Sequence, residues 1–213
     1  MVEMQRLGVV ADTHCPEFLD QLPPGLSRAL AGVDLILHAG DVGGERGGET
    51  LRELERIAPV VAVRGDHDQG LEELPTTREF LVGNRRVGLI HGNHGHLYEE
   101  PTTFLGTISL GLVAPLPGHA AWLRAQFPNA DLVVSGHTHR PMFDATARPV
   151  LFNPGPVYIV DAAAVRRRLD RGPGWFEWTW LQVARHRIGE QRPTVGILEL
   201  EGRRVRASVV PVD

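Results

Sequence analysis

Five short apolar runs in this chain each stop at a histidine or an aspartate, and that punctuation constrains the fold more than any other feature. Residues 7–11 run into Asp12-Thr13-His14, and 33–37 into His38-Ala39-Gly40-Asp41. Residues 60–63 run into Arg64-Gly65-Asp66-His67-Asp68, 87–90 into His91-Gly92, and 132–134 into Ser135-Gly136-His137-Thr138-His139. Continuous apolar runs of this length read as strands buried on both faces. Helices fit between the first three: 24–31 opens on proline, and 50–57 sets Leu51, Leu54 and Ile57 on one face. Strand alternating with helix is the α/β pattern, whose sites lie at the carboxyl ends of the strands.

The rest of the chain bounds what such an edge can serve. At 213 residues it reads as a single domain spanning 1–213, with insertions at about 93–118 and 158–192. Alternation over 194–200 and 203–210 predicts a closing hairpin, and 119–126 a short helix. A formal net charge of -4 offers no basic field for a long nucleic acid. The lone Cys15 excludes an internal disulfide and a four-cysteine zinc site. All 22 basic residues are arginine, which excludes a P-loop lysine and Schiff-base catalysis. No apolar stretch is long enough to span a membrane, and the first residues lead straight into a strand pattern with no signal-like segment, so a cytoplasmic location is expected.

Aspartates and histidines from separate strand ends make a mixed nitrogen and oxygen ligand set. Imidazole with carboxylate suits manganese, iron, zinc, cobalt or nickel better than calcium or magnesium. Seven candidates, Asp12, His14, Asp41, Asp66, His91, His137 and His139, are too many for one tetrahedral ion. They suit two ions sharing a carboxylate, roughly 3.5–4 Å apart in two-metal hydrolases. The Asp-X-His and His-X-His spacings matter because alternate residues of an extended segment point the same way. Any one of these pieces alone is common in turns; all of them in one order, each after a buried run, are not.

That order resembles the calcineurin-like metallophosphoesterases, and the later Asn153-Pro154-Gly155 is similar to their small bacterial and archaeal branch. The resemblance covers about 5–92, 119–157 and 193–210. It implies an αββα four-layer sandwich of two mixed β-sheets flanked by helices, with two divalent ions at one edge, manganese first among them. One ion would take Asp12, His14 and His139, the other Asp66, His91 and His137, with Asp41 bridging both. The implied reaction is hydrolysis of a small phosphodiester or phosphomonoester. A bridging hydroxide would attack in line, and His67 would contact the phosphoryl group or protonate the leaving oxygen. Asp68 is expected to orient His67 through its other ring nitrogen. No covalent intermediate is implied, so Cys15 need not be a nucleophile. Two alternatives accompany this reading: a non-catalytic scaffold of the retromer-subunit type, and a nuclease or nucleotide-lipid pyrophosphatase on the same core. The scaffold branch lacks the histidine corresponding to His67.

One residue departs from the family pattern, which has asparagine where this chain has Asp66. An ionised Asp66 lowers the formal charge of the implied centre by one, to neutrality, which favours holding cations over attracting a phosphate anion. His91-Gly92 and His94-Gly95 compete as the ligand pair, and His91 is preferred because it directly ends an apolar run. His94 or His96 would then reach substrate, and Arg140 would contact a phosphate. His38 is expected to pack behind the ligands. The tryptophan-rich stretch 175–180 would stack a base, join a second copy in a homodimer, or anchor its own insertion.

Overall fold

The first three apolar runs form a parallel sheet because the segments between them are long enough to cross over as helices. Strands β1 (Gln5–Val10), β2 (Leu35–His38) and β3 (Val60–Ala62) pair in that order. The connections carry α1 (Pro24–Ala29) and α2 (Gly47–Glu55). The closing hairpin, β9 (Thr194–Glu201) and β10 (Arg204–Pro211), adds antiparallel to β1 and completes the order β10-β9-β1-β2-β3. The second sheet has β4 (Thr77–Val82), β5 (Arg85–Ile90), β6 (Leu132–Val134), β7 (Met142–Asp144) and β8 (Val150–Asn153), in the order β4-β5-β6-β8-β7. Both sheets are mixed. Helix α3 (His119–Gln126) precedes β6.

This computed structural model describes residues 4–94, 118–185, 192–202 and 204–212. The chain divides into two compact units, the second of which falls on the two segments expected as insertions. The first takes 1–92, 120–158 and 192–213, and the second takes 93–119 and 159–191.

Burial in the first unit makes four layers. Leu7 and Val9 of β1, Leu37 of β2, Val87 and Leu89 of β5, Leu132 and Val134 of β6, Phe152 of β8 and Leu198 of β9 form the core between the sheets, all at 1% exposure or less. Neighbours with the opposite parity face outward and meet helices, as the two-residue period of a strand requires. Val10, Ile36, Val195 and Ile197 pack with Leu26 and Leu30 at α1 and Leu54 of α2. Val133, Leu151 and Ile90 pack with Leu123 of α3 and Phe127. Each fully buried leucine or phenylalanine contributes about 1.5–3 kcal/mol. Gly88 lets this layer close, since a Cβ there would fall 2.6 Å from the Phe127 ring.

In the second unit Asp161 caps α4 (Ala162–Asp170), its Oδ1 accepting the Ala164 N–H at 2.6 Å. Arg168 donates to Glu177 of α5 (Trp175–Ala184) through Nε at 2.8 Å. Trp175 and Trp178 are 70% and 52% exposed. Among the described residues no helix is long and apolar enough to cross a membrane.

Candidate metal centre

All the chemistry-bearing strand ends of the first unit meet at one edge because the strands that carry them run parallel. Past β1 and β2 the backbone keeps pairing for a few residues, with Asp12 N–H donating to Gly40 O at 3.1 Å and His14 N–H to Asp41 O at 3.0 Å. In the other sheet Gly136 N–H donates to His91 O at 2.9 Å, and the Asn153 amide holds Gly136 O at 2.6 Å. Asn153 thereby fixes the loop that presents His137 and His139.

Local conformation marks the same residues. Among the described residues, the non-glycine positions with positive φ are Asp12 (52°), His14 (45°), Asp41 (54°), His137 (67°) and His139 (51°). A left-handed non-glycine residue costs of order 1–3 kcal/mol and persists where the surroundings over-determine it, often at functional sites. Glycines provide the clearance. A Cβ on Gly40 (φ 87°) would lie 2.8 Å from His91 Nδ1, and one on Gly65 would lie 2.1 Å from Asp41 Oδ1.

Backbone donors fix one oxygen of each central carboxylate. His137 N–H donates to Asp12 Oδ1 and His67 N–H to Asp41 Oδ1, both at 3.0 Å. The other oxygen of Asp41, Oδ2, lies 3.4 Å from His14 Nε2 and 3.4 Å from His91 Nε2. The donor atoms of Asp12, His14 and His139 lie within 4.8 Å of one another, as do those of Asp66, His91 and His137. His91 Nδ1 is tied to Ala39 O at 2.8 Å, which turns its Nε2 toward Asp66 Oδ1, 3.0 Å away.

The crowding of acids and imidazoles shifts their titration. Burial pushes Asp41 up, but the neighbouring His91 outweighs it and holds the carboxyl well below its usual range. Asp66 behaves alike, with burial opposed by hydrogen bonds from His137 and His91. Burial pushes His91 down, yet Asp41 and Asp66 raise it well above an ordinary imidazole. Asp12 Oδ2 is buried with no hydrogen-bond partner, and His91 Nε2 is faced by carboxylate oxygens, Asp66 Oδ1 at 3.0 Å and Asp41 Oδ2 at 3.4 Å. Buried polar atoms are nearly always satisfied, so an orphaned carboxylate oxygen among clustered imidazoles and carboxylates suits a cation. The residues present thus fit divalent metal ions of the nitrogen- and oxygen-seeking kind.

His67 stands beside this cluster, its ring edge-on to His14 at a 4.8 Å centroid separation. Its orienting partner is Glu17, not Asp68. His67 Nδ1 lies 3.2 Å from Glu17 Oε1, and His14 Nδ1 lies 3.2 Å from Glu17 Oε2. Asp68 instead accepts backbone N–H groups from Val42 (2.7 Å), Gly43 (3.2 Å) and Gly65 (2.8 Å), tying the loop after β2 to the loop after β3. Those three donors occupy its carboxylate and turn it from the ring. The hydrogen bond to Glu17 raises His67 to about 9 against the opposing effect of burial. Burial pushes Glu17 up, but the bonds to His14 and His67 hold it down at about 2. Sequence reading missed Glu17, and the available signal was its place three residues beyond His14.

The remaining expected residues are dispersed. Arg140 is exposed, directly after His139. His94 lies in the second unit, its Nε2 2.8 Å from His119 Nδ1, and His96 lies outside the described residues. His38 is buried behind the ligands, 2.9 Å from the Thr13 hydroxyl, and burial lowers its pKa to about 3. Burial raises the Cys15 thiol, which disfavours the thiolate a nucleophile needs.

Comparison with known proteins points the same way as the geometry. The family described as the calcineurin-like phosphoesterase superfamily domain matches residues 5–167. A probable metallophosphoesterase of Methanothermobacter thermautotrophicus is 37% identical over 155 residues, covering 70% of this chain and 75% of that one. Among solved structures, wild-type Vps29 of Entamoeba histolytica complexed with Zn2+ is similar at a TM-score of 0.54 and 18% identity, covering 98% of this chain and 100% of that one. A novel archaeal phosphodiesterase is similar at a TM-score of 0.52 and 20% identity, covering 97% of this chain and 100% of that one. At these identities the two structures speak for the fold alone.

Proposed function

We propose that this chain, which belongs to the calcineurin-like phosphoesterase superfamily, hydrolyses a small phosphodiester or phosphomonoester at a dinuclear metal centre. The observation that carries the reading is the position of Asp41 Oδ2, 3.4 Å from a histidine of each triad. A carboxylate oxygen equidistant from one donor of each group is where two ions would share a ligand. Asp12, His14 and His139 would hold one ion, and Asp66, His91 and His137 the other. Manganese is the first expectation, and iron, zinc, nickel and cobalt suit the same donors. Such ions supply Lewis acidity, which activates water near neutral pH and neutralises charge on phosphoryl oxygens.

The chain's own groups supply the rest. His67 has Nδ1 occupied by Glu17, so Nε2 is the nitrogen available to a leaving oxygen, and a proton held there suits a general acid. The left-handed backbone at five of the ligands, with the carboxylate oxygens pinned by N–H groups, pre-organises the donors. A net charge of -4 disfavours long polyanions and supports a small substrate.

Metal-stripped protein with Mn2+ restored, assayed on a chromogenic phosphodiester and the matching monoester beside His67→Ala, tests this. Turnover that needs both Mn2+ and His67 supports the reading, and the preferred ester assigns the subclass. Protein that binds Mn2+ yet turns over neither ester would favour a scaffold of the kind the fold also serves.

A further inference from the structure

The carboxylate of Glu17 joins two groups that the proposed reaction uses separately. It leaves the chain just after β1, where Phe18 and Leu19 N–H both donate to His14 O, at 2.7 and 3.1 Å. That single helical turn sets Glu17 three residues past His14 and on the same side as its ring. The two carboxylate oxygens then divide: Oε2 takes His14 Nδ1 and Oε1 takes His67 Nδ1, each at 3.2 Å. Phe18 closes the arrangement from beside, its ring 5.2 Å from that of His14 and 5.7 Å from that of His67.

An ionised carboxylate only accepts, so it can serve both rings only when each carries a proton on Nδ1. That leaves Nε2 of His14 facing Asp41 Oδ2 and Nε2 of His67 for substrate. Metal-ligating histidines are commonly oriented in this way by a carboxylate on the other nitrogen. Here one carboxylate serves a ligand and a neighbouring acid at once. It sits at 27% exposure, between a His14 side chain at 3% and a His67 side chain at 41%.

From this geometry we infer that Glu17 is a positioning residue that fixes the tautomer and ring orientation of His14 and His67 together, so that metal seating and leaving-group protonation depend on one side chain. The inference rests on the phosphoesterase reading for its catalytic half only; the tautomer half concerns the metal-free chain.

The test compares wild type, Glu17→Ala and Glu17→Gln. Long-range proton–nitrogen NMR of the metal-free proteins reads the tautomers directly. Recorded at a pH above 9, where His67 has given up its second proton, wild type shows Nδ1–H on both rings, and Glu17→Ala loses that preference on both. Glu17→Gln keeps one acceptor oxygen and gains a donor, so it retains the preference on one ring at most. Calorimetric titration with Mn2+ shows affinity falling about 10- to 100-fold in Glu17→Ala, with a smaller loss in Glu17→Gln. With the chromogenic ester kcat falls while KM changes little, because neither ring is lost. Because Glu17 is partly exposed, melting temperatures stay close to wild type. Wild-type tautomers in Glu17→Ala, together with unchanged Mn2+ affinity, would overturn the inference. The NMR comparison decides it even for a chain that hydrolyses neither ester, so failure of Glu17 and failure of the phosphoesterase reading are distinguishable.

Discussion

Adding one methyl group at Gly65 will disable the metal centre at modest cost to the fold. The new Cβ would sit 2.1 Å from Asp41 Oδ1 and 2.6 Å from Asp41 N, whereas ordinary van der Waals contact begins at 3.4 Å. Neither atom can swing aside. The nitrogen is backbone, and Oδ1 is held by the His67 N–H at 3.0 Å. The loops after β2 and β3 must therefore separate by about 1 Å, a displacement of the size that costs an active site about 100-fold in rate. Overpacking of this kind destabilises by about 1–3 kcal/mol, and each kcal/mol lowers the melting temperature of a chain this size by about 2–4 °C. The control is Gly8→Ala, whose Cβ would meet Leu30 Cδ2 at 2.7 Å, the movable end of a side chain remote from the ligands. It shares the stability penalty but keeps wild-type Mn2+ affinity and kcat at 25 °C. Mn2+ titration, steady-state kinetics and thermal melts on both variants decide the matter. Wild-type metal binding and kcat in Gly65→Ala would refute the reasoning, as would equal losses in Gly8→Ala.

Asp66→Asn removes one negative charge from the centre, so we expect weaker retention of the second Mn2+ and stronger inhibition by inorganic phosphate, both read by titration. Unchanged metal content with unchanged inhibition would remove any electrostatic role for this residue. Asp68→Ala strips acceptors from the buried N–H groups of Val42 and Gly43, each worth about 1–3 kcal/mol when left unpaired, and from the part-buried N–H of Gly65. A denaturant melt should show a loss of at least about 2 kcal/mol, and a smaller loss would mean that water replaces the carboxylate. Leu123→Ala empties a fully buried position under α3 and should cost about 2–5 kcal/mol with kcat unchanged below the melt. A drop in kcat at full folding would show that this layer is coupled to the edge.

Much of the first unit was legible because its strands are continuous apolar runs with chemistry at their ends. β6 and α3 lie where periodicity puts them, and in the closing hairpin each strand ends one residue later than expected. Three strands were not anticipated. β4 is an edge strand whose first half, Thr77-Arg78-Glu79, is polar and exposed, which leaves only the three apolar residues Phe80-Leu81-Val82 as a signal. β7 has only three residues, and β8 is a four-residue run hemmed by Pro149 and Pro154. At the site, the aspartates and histidines were legible from their order, whereas Glu17 and Asp68 were not correctly placed. Their partners lie 50 residues away for the bond from Glu17 to His67, and 26 for the bond from Val42 to Asp68. Local sequence suggested the adjacent residue, Asp68, as the partner of His67. Tertiary packing supplied Glu17 instead, because a turn after β1 brings it over both rings.

Anomalous diffraction from crystals grown with Mn2+ tests the central claim most directly. The account predicts two peaks, one within coordination reach of Asp12, His14 and His139 and the other of Asp66, His91 and His137, with Asp41 touching both. A single peak, or two peaks that do not share Asp41, would contradict it.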